Sequence, residues 1–232
     1  MPRDLPSIAK QEAQARPQTF FIHKIYKVFQ NHFRPKRKRA FIQLFPDLEK
    51  GLPVLDVGGT ASWWKEDFPG SVNISIVNVD DSHQREVSES GFKFFKADGR
   101  ALPFEDKQFY LTFSNSVIEH VGDLKDQMQF AAEARRCGEK LYLQTPNKWF
   151  PVEPHLITVF IHWLPFRVAR RLLRYCSIWG MVTRPSQKQI DEFLSATRLL
   201  SRREIKAIFP GAQIKEEKFL GLTKSFIVVV SA

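Results

Sequence analysis

Residues 54–60 read VLDVGGT, an apolar run that passes directly into paired glycines. The run has the character of a buried β-strand. The chain must turn sharply at Gly58–Gly59, where missing side chains let a ligand or another backbone come close. Two further apolar runs end in acids: IVNVD at 76–80 closes on Asp80, and FFKADGRALPF at 94–104 carries Asp98 just past a third strand. Asp80 lies about 20 residues beyond the glycines, where a nucleotide-binding α/β fold places the carboxylate that holds a ribose. A glycine turn followed in order by two strand-terminal acids constrains the fold far more than the glycines alone.

The rest of the chain continues the alternation of a doubly wound sheet. Strands are predicted near 53–57, 73–79, 92–97, 109–114 and 139–145, with a helix from about Asp123 to Arg136. Residues 212–220 and 223–231 read as two more strands with Gly221 at the break, a spacing that suits a hairpin. Trp63 and Trp64, in the short connection after the first strand, pack either as a lid or as core. Residues 1–17 are polar and contain proline, which predicts an arm with little structure. From 18 to 50 apolar residues recur at helical steps (Phe21, Ile25, Val28, then Phe41, Leu44, Phe45, Leu48), and Pro35 is expected to divide two helices. Residues 146–200 exceed a minimal α/β unit and read as an insertion after the fifth strand. It carries TPNKWFPVEPH, then a long apolar and basic helix, then a polar stretch from Arg184.

These residues resemble the class I S-adenosylmethionine-dependent methyltransferases, in the small-molecule branch of type 11. Leu55, Asp56 and Gly58 match the family's first motif, LDxGxGxG. The run DGRALPFEDKQFYLTFSNSVIEHV at 98–121 is similar to DAxxLPFxDxxFDxVxSxxVLEHV almost position for position, and the resemblance covers about 50–230. Thr60 and Ser62 stand where the second and third glycines fall, and Tyr110 stands where the family has Asp. The resemblance implies an α/β, Rossmann-like, doubly wound seven-stranded sheet of order 3-2-1-4-5-7-6 with an antiparallel last hairpin. A helical cap over 18–50 would precede a methyltransferase domain over 51–232, with the insertion at 146–200.

It also implies S-adenosylmethionine as cofactor and a set of residues to hold it. Asp56 fixes the glycine loop or meets the methionyl amine, directly or through water. Gly58, Gly59 and Thr60 let methionine and ribose lie against backbone. Asp80 accepts both ribose hydroxyls, and Asp98 receives the adenine amino group beside Gly99. Ser114 and Asn115 end the fourth strand, toward the methyl. Alone, each acid would read as a turn or cap residue; their order favours the cofactor. His120, after Glu119, is a candidate base or a loop-capping residue. His155 is a second candidate base, and with Asn147 and Glu153 a candidate acceptor contact, because these residues follow the fifth strand on the face where open α/β sheets bind ligands.

The formal charge of +10 concentrates in RPKRKR at 34–39 and around 167–174. Such surfaces attract anionic lipid, phosphorylated substrates or nucleic acid, or simply solvate helices. Arg167, Arg170, Arg171 and Arg174 fall on one helical face, so 166–175 reads either as an interfacial segment for an anionic membrane surface or as a solvated surface helix. The turn SNSVIEH after strand four lacks the [DNS]PP[YF] pattern of nucleobase amino-methylating enzymes, which disfavours nucleic acid. Cys137 and Cys176 are far apart with no metal-ligand spacing, so no metal is expected and a reducing, cytoplasmic setting is. No window reaches the about 18 apolar residues of a spanning helix. The expected activity is methyl transfer to a small-molecule or lipid-linked acceptor by in-line displacement. The competing expectation is a non-catalytic protein of this fold that binds membrane or nucleic acid through its basic surfaces. A nicotinamide-dependent oxidoreductase shares the logic of Asp80 but lacks GxGxxG.

Overall fold

The computed structural model describes residues 33–65, 68, 72–153 and 158–231. The chain divides into two compact units. Asp47–Lys148 with Thr197–Ala232 forms one; Met1–Pro46 with Trp149–Ala196 forms the other.

The first unit is built on a seven-stranded sheet. Its strands are β1 (Pro53–Val57), β2 (Asn73–Asn78), β3 (Lys93–Lys96), β4 (Phe109–Asn115), β5 (Gly138–Pro146), β8 (Gln213–Phe219) and β9 (Leu222–Val230), the short β6 (Val152–Glu153) and β7 (Thr158–Val159) belonging to the second unit. Their order is β3-β2-β1-β4-β5-β9-β8. The first five run parallel, while β9 runs antiparallel to both β5 and β8. This is the expected topology, with the terminal hairpin in sixth and seventh place. Leu220 (φ 48°) and Gly221 (φ 81°) form its two-residue loop, the backbone signature of a type I′ turn that matches strand twist. The strand order reverses between β1 and β4, which opens a crevice at their C-terminal ends.

Helices in this unit are Gln84–Glu89, Leu124–Cys137 and Arg202–Ile208. Helix Leu124–Cys137 starts at a capping box, with the Asp123 carboxylate accepting from the Lys125 and Asp126 backbone. Its apolar side, Phe130, Ala131 and Ala134, packs on one sheet face with Leu55, Val57, Leu141 and Leu143. The opposite face carries Asp56, Phe113 and Tyr142 in register across β1, β4 and β5. There Trp63 stacks on Phe113 at 5.3 Å, and Trp64 meets the same ring edge-on at 5.1 Å. Both tryptophans are buried, so the connection after β1 supplies core. Tyr110 makes a strand-start contact: its hydroxyl donates to Asp47 and accepts from Lys140.

In the second unit the chain is helical over 33–44. Among the described residues this helix runs through Pro35 and ends before Phe45, which precedes Pro46 and is steered out of helical backbone by the proline ring. The proposed arm 1–17 and the helical pattern of 18–32 lie outside the described residues. The insertion begins with an unforeseen two-stranded piece, β6 (Val152–Glu153) and β7 (Thr158–Val159). Helices Phe166–Cys176, Ile178–Thr183 and Gln187–Ala196 follow. The expected single long helix is thus two. Ser177 divides them, donating to the Leu173 carbonyl and accepting from the Gly180 N–H. The stretch read as polar is largely the third helix, whose Ile190 joins Ile161, Ala169 and Leu173 in a small core.

Candidate active site

The parallel register of β3, β2, β1 and β4 brings four strand ends to one edge of the sheet. At the end of β1, Gly58 takes φ 80°, a conformation that favours glycine. Its N–H donates to Val77 O at 2.7 Å, and a Cβ there would fall 2.5 Å from Val117. Gly59 is required for a different reason. A Cβ at this position would sit 1.8 Å from Oδ2 of Asp56, whose carboxyl lies directly beneath. The Asn78 amide donates to Gly59 O at 2.8 Å and ties the loop to β2. Thr60 is extended (φ −129°, ψ 159°), a backbone that any residue adopts, and its hydroxyl meets that of Ser62 at 2.9 Å. The departure from the family's glycine spacing therefore introduces no strain at this residue.

Asp56 is fully buried. Oδ2 accepts from Trp64 Nε1 at 2.7 Å, while Oδ1 makes no hydrogen bond among the described residues. Burial pushes the carboxyl up to about 7, opposed by the Trp64 bond. Asp56 is thus sealed directly under Gly59, beneath the loop.

Asp80 follows β2, half-buried, and its Oδ1 accepts from the Ser82 N–H at 3.1 Å and the Ser82 hydroxyl at 2.5 Å. Asp98 follows β3 and is gripped by Arg100: Oδ1 accepts from its backbone N–H and Nε, Oδ2 from Nε and Nη2. The Arg100 side-chain hydrogen bonds hold the Asp98 carboxyl below its ordinary value despite partial burial. Arg100 also reaches Asp126 at 2.8 Å, which links the loop after β3 to the helix that starts at Leu124. Gly99 is buried, and a Cβ there would meet Phe130 at 2.6 Å. Its smallness serves packing between strand and helix.

At the end of β4, Ser114 is fully buried and its hydroxyl donates to Val57 O at 3.0 Å, so it joins β4 to β1. Asn115 is half-buried at the strand terminus. Ser116, not foreseen, adopts φ 57° and fastens to β5 twice, through its N–H to Gln144 O and its hydroxyl to Gln144 Oε1. Left-handed backbone at a non-glycine residue marks a turn whose geometry the surroundings impose. Glu119 is buried and accepts from Thr145 Oγ1 at 3.0 Å. His120 is half-buried, with Nδ1 at 3.4 Å from Thr197 Oγ1.

The expected acceptor contacts fare differently. Asn147 is buried; its amide donates to Thr223 O at 2.8 Å and its N–H to Lys224 O, so it braces β5 against the hairpin. A strand-end asparagine was legible, but not the direction of its side chain. Glu153 is buried in β6 of the second unit. His155 lies outside the described residues. Asn78, Arg100 and Ser116 are the residues that sequence reasoning missed; of these only Asn78, a polar residue in an apolar strand, carried a signal.

Residues 55–140 match a family model described as a methyltransferase domain. No curated protein matches the chain in sequence. Among solved structures it is similar to magnesium protoporphyrin IX methyltransferase from Synechocystis PCC 6803 with bound SAH, at a TM-score of 0.60 and 12% identity over 97% of this chain and 93% of that one. A SAM-dependent methyltransferase from Aquifex aeolicus gives 0.50 and 14% over 83% and 87%. The PH0226 protein from Pyrococcus horikoshii OT3 gives 0.50 and 19% over 82% and 89%. At such identities the structural likeness is one of fold. Joined to the domain matched over 55–140, the 3-2-1-4-5-7-6 sheet gives the chain the fold of the class I S-adenosylmethionine-dependent methyltransferases.

Proposed function

We propose that this chain transfers a methyl group to a small-molecule or lipid-linked acceptor by in-line displacement at the C-terminal edge of β1–β4. The observation that best supports this is the gathering at one sheet edge of a glycine cradle over a buried acid, Asp80 and Asp98. The set fits S-adenosylmethionine by its chemistry. Gly58 and Gly59 let the loop lie tight over Val117 and Asp56, where any Cβ would clash, and the proposal sets methionine and ribose against this backbone. Asp80 suits the paired ribose hydroxyls. Asp98, kept ionised by Arg100, suits the adenine amino group. When bound, the cofactor supplies an activated sulfonium methyl.

The chain's own part is positioning. Asp56 and Asn78 hold the loop from below and from the side, and Ser114 fixes the two strands that flank the crevice. Asn115 is the polar group assigned to the methyl side and Thr60 stays with the methionine end, with His120 as the candidate base. Direct displacement asks little proton transfer of the protein, so His120 is assigned a modest part. The basic helix over 166–175 favours an amphiphilic or phosphate-bearing acceptor. The non-catalytic alternative loses its main support because Thr60 needs no glycine backbone.

The test is label transfer from methyl-tritiated cofactor into separated water-soluble and lipid fractions of a cell extract. Wild type should label at least one fraction, and Asp80→Ala should label it at least about tenfold more weakly. Cofactor binding without label in any fraction would favour the binding-protein reading.

A further inference from the structure

The second unit exposes large apolar side chains far beyond what a small core leaves over. Trp149 is 58% exposed, Phe160 50% and Trp163 38%, and the three rings form one cluster, with Trp163 centred 4.8 Å from Phe160 and 5.9 Å from Trp149. Phe160 sits at φ 62°, a costly backbone for a bulky residue. The chain bears that strain at a residue whose ring projects half into solvent.

Helix Phe166–Cys176 continues the pattern. Ala169 and Leu173 are buried, and Arg170 faces the packed side, where it pairs with Asp191 through two hydrogen bonds. The four-arginine face expected from the sequence is therefore three. Arg167, Arg171 and Arg174 share the outer surface with Val168, Leu172 and Tyr175, all exposed. On a helical wheel the arginines take one half of that outer arc and the apolar residues the other. Between Glu153 and Asp191 the sequence holds no acid at all, while it holds Arg167, Arg170, Arg171, Arg174, Arg184 and Lys188. Among the described residues no helix is long and apolar enough to cross a membrane.

We infer that this surface docks the chain on a bilayer that carries anionic phospholipid. The Trp149–Phe160–Trp163 cluster enters at headgroup depth, where amphipathic rings are stable. The three arginines spread their stems along the acyl boundary and meet lipid phosphates. Charge complementarity selects anionic lipid. The exposed aliphatic residues Val159, Leu164, Val168 and Leu172 select a bilayer over nucleic acid, whose bases reward stacking rings rather than branched carbon. This goes beyond methyl transfer and does not depend on it.

The test uses the full chain with vesicles of phosphatidylcholine alone or with about a third phosphatidylglycerol, at about 0.1 M salt. Sedimentation measures the bound fraction, and tryptophan emission reports insertion. Wild type should pellet with the anionic vesicles and shift its emission to the blue, and should bind phosphatidylcholine weakly. Changing Arg167, Arg171 and Arg174 together to Gln should weaken partitioning on the order of 100-fold. Trp149→Ser with Phe160→Asn should weaken it roughly tenfold without lowering thermal stability, since Asn tolerates φ 62°. Equal binding to both vesicles, no binding to either, or unchanged binding by the variants would overturn the inference. So would competition by millimolar inorganic phosphate, tighter binding to a single-stranded oligonucleotide, or a dimer in solution that the Trp149→Ser, Phe160→Asn variant dissolves.

Discussion

Substituting Asp56 by Asn tests the energetics of the glycine loop through pH. In the folded chain this carboxyl is fully buried beside Trp64 and Phe113, and burial raises it from 3.8 to about 7. Between those values the folded state holds a proton that the unfolded chain has released. The stability that Asp56 contributes is therefore complete below 3.8 and falls as pH rises through about 7. The full loss is about 4 kcal/mol, from about 1.4 kcal/mol per tenfold change in proton affinity. Over a third of it is already lost at pH 5, so the remaining fall from pH 5 to pH 8 is on the order of 3 kcal/mol.

Asn cannot ionise, and its buried amide imposes only a pH-independent offset. Urea unfolding of both proteins at about pH 5 and about pH 8 should show the gap between their midpoints shifting by on the order of 1 M in favour of Asp56→Asn. Other carboxylates cancel in the comparison. A gap that stays constant over this range would mean that Asp56 is ionised and solvated throughout, and the account of the loop resting on a sealed acid would fail.

Gly59→Ala should destabilise by about 2 kcal/mol and weaken cofactor binding, because its Cβ meets the Asp56 carboxyl, whereas Gly91→Ala should lose only about 1 kcal/mol from its positive φ. Both are read by thermal unfolding and titration calorimetry, and equal effects would contradict the steric argument. At Glu204, burial opposes ionisation, but hydrogen bonds from Ser201 and Arg198 outweigh it and draw the carboxyl down to about 2. Glu204→Gln should therefore cost roughly 2 kcal/mol near neutral pH, and the difference from wild type should disappear as pH falls from 4.5 through about 2. Leu220→Asn should add about 1 kcal/mol, since Leu220 is 85% exposed at φ 48° in a turn that favours Asn-Gly.

The start of the sheet was legible because β1 and β2 are apolar runs closed by Gly58 and Asp80, and β4 and β5 because they are long apolar runs. The predicted spans 53–57, 109–114 and 139–145 differ from β1, β4 and β5 by one residue or none at each end. The acids at 80 and 98 also fell where expected, at the ends of β2 and β3. Side-chain direction at a strand end was not legible: Ser114 and Asn147 carry suitable polar groups, but the backbones of β1 and β9 claim them. Nor did composition show that Asp98 faces Arg100 rather than solvent. The insertion was read least well. Its arginines obey a helical period, but Arg170 is drawn inward by Asp191, a partner 21 residues away that no local pattern marks.

Titration calorimetry with S-adenosylmethionine, wild type beside Asp80→Ala, tests the central claim most directly. The account predicts saturable one-to-one binding that the substitution weakens tenfold or more, about 1.4 kcal/mol, with thermal stability little changed. Wild-type binding that is absent, or that Asp80→Ala leaves intact, would contradict the assignment of this sheet edge as the cofactor site.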